Sequence, residues 1–180
     1  HILRLAGKKV GYTTSDGIYF DKQLIRPGDS SGPQSAREIL QHPLVEAAVL
    51  ETARGGILRQ GLGFSYCDVA VYTNLSGDHL GQDGIATLDQ LADVKALVGE
   101  IVSRQGWVVL NADDPRLLAL LPRFQGQLLL YTRHEQNPWL ARHLARGGQG
   151  LLVRAGWICW AYADECRPLL QVKELPAAWG

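Results

Sequence analysis

The chain has 180 residues with 18 basic and 18 acidic side chains, so its formal net charge is zero. This length predicts one sizeable domain, and the balanced charge argues against nucleic acid or an anionic membrane as a partner. No apolar run is long enough to span a membrane. Three cysteines without CxxC spacing indicate reduced thiols in a cytoplasmic protein.

The two ends of the chain indicate a piece of a longer protein. The sequence contains no methionine, begins inside a helix-like pattern that Gly7 ends, and shows no closing helix at 175–180. We therefore expect a single domain that is truncated at both ends. The oligomeric state stays open, a homo-oligomer included.

The first part of the chain predicts strands around one helix. Residues 10–13 are β-prone, residues 18–25 fit a hairpin, and the apolar run at 45–50 fits a strand covered by helices on both faces. Pro33 follows a glycine- and serine-rich loop, which predicts a helix from near Gly32 to Leu40. The free backbone N–H groups of that helix are expected to face the loop.

Polar and glycine-rich sequence follows the strand at 45–50. Glu51 comes directly after it, where the carboxyl end of a buried parallel strand forms the ligand edge of an α/β sheet. A purely structural glutamate is the alternative, and both interpretations stay open. The segment 52–64 then contains four glycines and two arginines. Glycines allow a backbone to approach a ligand closely, and Arg54 is a candidate to bind carboxylate or phosphate.

A second buried strand at 67–73 leads to Asn74, Asp78 and His79. If this strand neighbours the one before Glu51 in a parallel sheet, the two carboxyl ends lie about 5 Å apart. Glu51 and His79 can then reach one ion, and magnesium suits this pair when substrate phosphates supply further oxygens. A hydrogen-bonded structural histidine is the alternative for His79.

Thr87 and Gln90 form a capping box that predicts a helix running to about Ser103. Lys95 falls on the apolar face of this helix, which extends to Val102. Its stem can pack on the core while the ammonium group reaches water. Alternatively, partial desolvation favours a neutral amine that reacts with carbon dioxide. The resulting carbamate is an anion that suits a site beside a cation.

The rest of the chain predicts two more buried strands, at 107–110 and 127–131, and a small antiparallel C-terminal part. Asp113 and Asp114 precede Pro115, and we assign this acidic pair mainly to helix capping. A hairpin at 151–162 and a strand at 169–172 make up the antiparallel part. The whole pattern predicts an α/β fold with a three-layer, mostly parallel sheet.

Five segments carry a resemblance to a known family: GDSSGPQSAREIL at 28–40, LETARGGILRQGLG at 50–63, TNLSGDHLG at 73–81, VKALV at 94–98 and VVLNADDPR at 108–116. They resemble the central, ATP-binding domain of the Mur ligases, in the form found in the cyanophycin synthetases. The resemblance covers essentially the whole chain.

The resemblance implies a role for each candidate residue. Glu51 and His79 match magnesium ligands, and Lys95 matches a lysine whose carbamate helps to hold the metal site. Asn74 and Asp78 belong to the segment that resembles the family's Asn-x-x-x-Asp-His motif and are assigned to nucleotide binding. The implied ligands are ATP, Mg²⁺ and an amino-acid or poly-aspartate substrate. The implied activity is ATP-dependent amide formation through an acyl phosphate, which in cyanophycin synthetases joins arginine to the β-carboxylate of poly-aspartate.

The chain also departs from the family pattern. No GxxxxGK[ST] phosphate-binding loop occurs in it, and both the adenine-contacting segment and the third domain of the family are missing. We therefore predict that this polypeptide alone is inactive as a ligase. The alternatives are a non-catalytic module for binding or assembly, and another Mur-type ligase that acts on peptidoglycan precursors or folylpolyglutamate.

Overall fold

The computed structural model describes residues 1–76, 81 and 84–175. These residues group into two compact units, one formed by 1–65 with 81 and 84–85, the other by 66–76 with 86–175. Each unit contains its own sheet. Within the described part of the chain, no helix is long and apolar enough to cross a membrane.

The first unit is built on a four-stranded sheet. Its strands are Val10–Thr13 (β1), Gly17–Phe20 (β2), Gln23–Pro27 (β3) and Ala47–Leu50 (β4), and its helices are Ile2–Leu5 (α1), Pro33–Leu40 (α2) and Arg54–Gln60 (α3). The strand order is β3-β2-β1-β4, with β1 and β4 parallel and the other pairs antiparallel. The predicted hairpin and the predicted helix at Pro33 are therefore confirmed.

Helix α2 packs closely against strand β1. A Cβ atom at Gly11 would lie 2.7 Å from Cγ2 of Ile39, so only glycine at this position allows the observed approach. The helix begins at Pro33, whose missing N–H costs nothing at a first helical position. Ala36 and Ile39 lie on its buried face.

Strand β4 differs from its prediction. It begins at Ala47, lies at the edge of its sheet and pairs with β1. Val49 on this strand is 51% exposed. The prediction that helices cover both faces of the strand is therefore wrong for the described residues. A short apolar run does not reveal whether a strand is central or peripheral, since that depends on partners distant in sequence.

The second unit is built on a six-stranded sheet. Its strands are Cys67–Tyr72 (β5), Val102–Asn111 (β6), Gln127–Thr132 (β7), Gln149–Arg154 (β8), Trp157–Tyr162 (β9) and Glu165–Gln171 (β10), and its α-helices are Leu88–Glu100 (α4), Pro115–Ala119 (α5) and Pro138–Leu144 (α6). Short 3₁₀ turns occur at Leu121–Arg123 and Val172–Glu174. Strands β5 to β8 are parallel, whereas β8, β9 and β10 are antiparallel neighbours. The fold class and the antiparallel end are as predicted.

Helix α4 starts as predicted and ends earlier than predicted. Both bonds of the capping box between Thr87 and Gln90 are present. The helix ends at Glu100, and Val102 pairs with Cys67 in the sheet instead of lying on the helix. This correction follows from tertiary pairing, which recruits the β-branched Val102 into a strand.

All three cysteines and a cluster of deeply buried aliphatic side chains lie in the second unit. All three cysteines are free thiols, and Cys159 is fully buried. Burial, helped by the charge of Asp68, raises the pKa of the Cys67 thiol to about 11. The centre of the second unit consists of completely buried aliphatic side chains contributed by β6, α5, β7 and α6: Val108, Leu110, Leu117, Leu130 and Leu140.

Candidate functional site

The predicted ligand edge of the first unit is formed by Glu51 and the turn that follows β1. The backbone N–H of Glu51 donates to the carbonyl of Thr13 at 3.2 Å, which extends the parallel pairing by one residue. Its exposed carboxylate accepts from the N–H of Ser15, with Oε2 at 3.0 Å. The side chain is therefore held at this edge, and its two oxygens retain lone pairs for a further ligand.

A buried serine loop lies before helix α2 in the same unit. Ser31 donates to Asp29 Oδ1 through both its N–H, at 3.0 Å, and its hydroxyl, at 2.6 Å. These two bonds, the hydroxyl bond first, lower the pKa of Asp29. Backbone bonds join the loop to its surroundings, from Ser30 N–H to Thr14 at 3.0 Å and from Ala53 N–H to Ser31 at 3.0 Å. No side chain caps the N-terminus of α2, because the capping position is Gly32.

Two further residues of the first unit are a predicted site residue, Arg54, and the neighbour of Glu51 on β1, Thr13. Arg54 is the first residue of α3 and is half-buried. Thr13, the last residue of β1, is 2% exposed, and its hydroxyl has no hydrogen-bond partner among the described residues. Nothing in the sequence marks Thr13 as a candidate site residue. An unpaired buried hydroxyl depends on tertiary packing and leaves no sequence signal.

In the second unit, strand β5 leads directly to the exposed Asn74. The hydroxyl of Thr73 lies 3.5 Å from Asn74 Oδ1, which is a long hydrogen bond. The N–H of Leu75 donates to Asp114 Oδ2 at 2.7 Å, and the other oxygen of Asp114 caps α5 by accepting from Arg116 N–H at 3.0 Å. The predicted capping role of Asp114 is confirmed, and a second role accompanies it.

Asp113 lies inside a small polar network at the ends of β6 and β7. Its carboxylate accepts from Arg133 N–H at 2.9 Å, from Asn137 Nδ2 at 3.0 Å and from the hydroxyl of Thr132. Burial raises the pKa of Asp113, but these hydrogen bonds and the charge of His134 together outweigh burial and lower it. The carboxylate is a fully engaged structural acceptor.

Lys95 lies at the margin of the buried face of α4. Leu91 and Ala96 are buried, whereas Lys95 is half-buried. The Tyr72 hydroxyl donates to the Lys95 carbonyl at 3.0 Å. This placement agrees with the predicted apolar surroundings of the stem. Whether the Lys95 amine reaches water as an ammonium group or forms a carbamate is not decided by this placement, and both stay predictions.

Comparison with known proteins supplies the family. Residues 1–153 match the model of the Mur ligase middle domain. The chain belongs to the Mur ligase family. The solved structure of a UDP-N-acetylmuramoyl-L-alanyl-D-glutamate–2,6-diaminopimelate ligase matches this Mur ligase domain with a TM-score of 0.63 over 92% of the chain and 34% of that structure. At 17% identity this match concerns the fold alone.

Closer sequence relatives are cyanophycin synthetases. This Mur ligase domain is 42% identical over 180 residues to the cyanophycin synthetase of Nostoc sp., covering 100% of the chain and 20% of the relative. It is 45% identical over 158 residues to that of Synechocystis sp., covering 88% of the chain and 18% of the relative. The UDP-N-acetylmuramyl-tripeptide synthetase of Deinococcus radiodurans is 30% identical over 163 residues, or 86% of the chain and 32% of the relative. The chain thus spans about a fifth of the length of the cyanophycin synthetases.

The predicted site residues of the Mur ligase domain are only partly described. Glu51 belongs to the first unit, Asn74 to the second, and Asp78 and His79 lie outside the described residues. β4 is an edge strand of the first sheet and β5 an edge strand of the second, so a pair between them is not among the strand pairs of the described residues. Strand spacing therefore gives no support for a shared ion, which stays a prediction.

Of the predicted magnesium site, the described residues contain one ligand and no complete set of ligands. No group of three or more His, Cys, Asp or Glu side chains that could hold a metal occurs among them. Of the two predicted ligands, the described part contains Glu51, an exposed carboxylate of the kind that magnesium prefers. The donor type fits magnesium, and the remaining donors have to come from outside the described residues or from substrate.

Proposed function

We propose that this Mur ligase domain is part of an ATP-dependent amide ligase of the cyanophycin synthetase type. The observation that carries the proposal is the 42% identity to the Nostoc cyanophycin synthetase over the entire chain, against 30% to a peptidoglycan tripeptide synthetase. The proposed reaction forms an amide between arginine and the β-carboxylate of poly-aspartate, through an acyl phosphate.

Each candidate residue has a proposed task. Glu51 and His79 each contribute a magnesium ligand, Lys95 contributes a carbamate, and Asn74 and Asp78 contact the nucleotide. Magnesium, when bound, supplies charge neutralisation for a phosphate group and a carboxylate that otherwise repel each other. The half-buried Arg54 is proposed to hold a substrate carboxylate or phosphate through its planar guanidinium.

The proposed enzyme needs more than these 180 residues. The chain lacks the GxxxxGK[ST] loop whose backbone N–H groups and lysine cradle phosphates. We therefore propose that the chain alone does not turn over ATP, and that the full-length protein does.

The deciding experiment measures ADP release by the full-length protein and by the 180-residue chain. Arginine with a poly-aspartate acceptor is compared with muramoyl-peptide and folylpolyglutamate acceptors. ADP release by the full-length protein that requires arginine and poly-aspartate supports the proposal. ADP release that requires a muramoyl-peptide or folylpolyglutamate acceptor would instead identify the protein as another Mur-type ligase. Absence of ATP turnover in the full-length protein with every acceptor points to a non-catalytic module.

The metal role of Glu51 has a matched control at the opposite end of the same strand. Glu46 and Glu51 precede and follow β4, and each accepts one backbone N–H, from Lys9 at 2.8 Å and from Ser15 at 3.0 Å. Glu51→Gln keeps an acceptor oxygen and removes the charge, so it is expected to raise the Mg²⁺ concentration for half-maximal turnover of the full-length protein. Glu46→Gln is expected to leave it unchanged. Equal effects of the two changes would reject the metal role of Glu51.

A further inference from the structure

The chain beyond the end of β5 is held by side chains from the neighbouring elements. The last ladder pair of β5 and β6 is Tyr72 with Leu110, so Thr73 lies beyond the sheet. Its carbonyl nevertheless accepts two side-chain hydrogen bonds, from Asn111 Nδ2 at 2.9 Å and from the hydroxyl of Tyr131 at 3.1 Å. The same hydroxyl lies 3.1 Å from the Tyr72 carbonyl.

The N–H group on the other side of Asn74 is bonded as well. Leu75 donates to Asp114 Oδ2 at 2.7 Å, the shortest of these bonds and one to a charged acceptor. Both backbone groups that flank Asn74 are therefore held by side chains, although Thr73 and Asn74 themselves are exposed. Exposed backbone at the end of a strand is ordinarily satisfied by water.

The side chains that hold this segment are themselves held in place. Asn111 Oδ1 accepts from Asp113 N–H at 2.9 Å, and Asp114 Oδ1 accepts from Arg116 N–H at 3.0 Å. Tyr131 lies on β7. Burial raises the pKa of Tyr131, and the negative charges of Asp113 and Asp114 raise it further. The tyrosine therefore stays a protonated donor. A rigid scaffold of this kind places a ligand-contacting residue more accurately than a solvated loop does.

We infer that Asn111, Asp114 and Tyr131 are positioning residues, which hold the backbone on either side of Asn74 so that Asn74 can contact the nucleotide. The inference rests on the proposed function, since nucleotide contact by Asn74 is part of it. The three residues act through backbone groups of Thr73 and Leu75 and do not need to touch the substrate. Loss of one such bond is expected to weaken ATP binding while the fold persists.

The test uses Tyr131→Phe in the full-length enzyme, which removes the hydroxyl and keeps the ring. We expect the KM for ATP to rise about three- to tenfold, the effect of one hydrogen bond, with a smaller change in kcat. Tyr162→Phe is the matched control, because Tyr162 is 48% exposed on β9, and it should leave KM unchanged. A KM for ATP in Tyr131→Phe equal to that of the parent enzyme would overturn the inference.

A double-mutant cycle with Asn74→Ala separates positioning from a general structural effect. If Tyr131 acts through Asn74, the change in KM caused by Tyr131→Phe disappears in the Asn74→Ala background. An equal change in both backgrounds overturns the inference and leaves the proposed ligase activity intact. An enzyme that does not use ATP at all overturns both.

Asp114→Asn is a second, independent variant. Asparagine remains a good helix cap, but its NH₂ group replaces one of the two oxygens that accept from Leu75 and Arg116, so one of these two bonds is lost. We expect faster hydrogen exchange at the Leu75 amide in the full-length protein, together with a raised KM for ATP. Unchanged exchange at Leu75, or faster exchange with an unchanged KM, would contradict the inference.

Discussion

The hydroxyl of Tyr72 lies 3.0 Å from the carbonyl oxygen of Lys95. It also lies 3.2 Å from the Ala96 carbonyl and accepts from Gly99 N–H at 2.7 Å. One side chain at the end of β5 thus binds the helical turn that carries Lys95. Burial raises the pKa of Tyr72, against the opposing effect of the Gly99 N–H, so the phenol remains protonated. The close approach needs Gly99, where a Cβ atom would lie 2.8 Å from the hydroxyl.

Tyr72→Phe is expected to destabilise the fold measurably. The change leaves the Gly99 N–H without its acceptor in a buried position, which costs about 1–3 kcal/mol in the free energy of unfolding. Urea unfolding of the parent and variant chains measures the difference. Tyr162→Phe, at an exposed tyrosine, should stay within about 0.5 kcal/mol of the parent. A comparable loss in both variants would show that the Tyr72 hydroxyl has no special role.

Lys95→Ala is expected to abolish most of the turnover of the full-length enzyme, because it removes the proposed carbamate. Removal of one group that stabilises charge at a reaction centre typically costs about a hundredfold or more in kcat. The substitution leaves room for a small anion, so added formate or acetate should restore part of the lost rate. Lys22→Ala, at an exposed lysine, is the control and should need no rescue. Lost activity that short carboxylates do not restore would refute the carbamate.

Local signals predicted the starts of elements well. The helices that begin at Pro33 and Pro115 were marked by the missing proline N–H, and the helix after Thr87 was marked by its capping box. These signals involve residues close in sequence, so tertiary structure rarely overrides them.

The pairing of strands that are distant in sequence could not be predicted from the sequence. The two residues that follow the end of α4 at Glu100 are Ile101 and Val102, neither of them a glycine or proline, and the pairing of Val102 with Cys67 decides where the helix stops. The edge position of β4 likewise depends on strand order. The side chains that hold the segment around Asn74 come from β6, β7 and the start of α5, so Tyr131 could not be linked to it before the sheet was known.

The network around Asp113 predicts a specific dependence of stability on pH. The folded-state pKa of Asp113 is lowered, so its carboxylate contributes stability above the unfolded-state pKa of about 3.9, and the contribution is lost as pH falls below that value. Asp113→Asn should therefore be less stable than the parent at pH 6, and the difference should shrink between about pH 4 and pH 3.

Urea unfolding across this pH range measures the effect. Asp164→Asn, at an exposed aspartate in the turn between β9 and β10, is the control and should stay within about 0.5 kcal/mol of the parent. A difference between the parent and Asp113→Asn that stays constant from pH 6 to pH 3 would contradict the prediction. In that case hydrogen bonds to Asp113 would not favour its charged form.

Two buried threonines that end strands provide the final test. Thr13 and Thr132 are 2% and 3% exposed, but only Thr132 has an acceptor within the described residues, the carboxylate of Asp113. Thr132→Val is expected to cost about 1.5–3 kcal/mol, because a hydrogen bond to a charged group is lost. Thr13→Val removes a hydroxyl whose burial without a partner costs about 1–3 kcal/mol, so it should leave stability equal or raise it. Urea unfolding compares the two nearly isosteric changes directly, and a loss at Thr13 as large as that at Thr132 would mean that the Thr13 hydroxyl is hydrogen-bonded in solution.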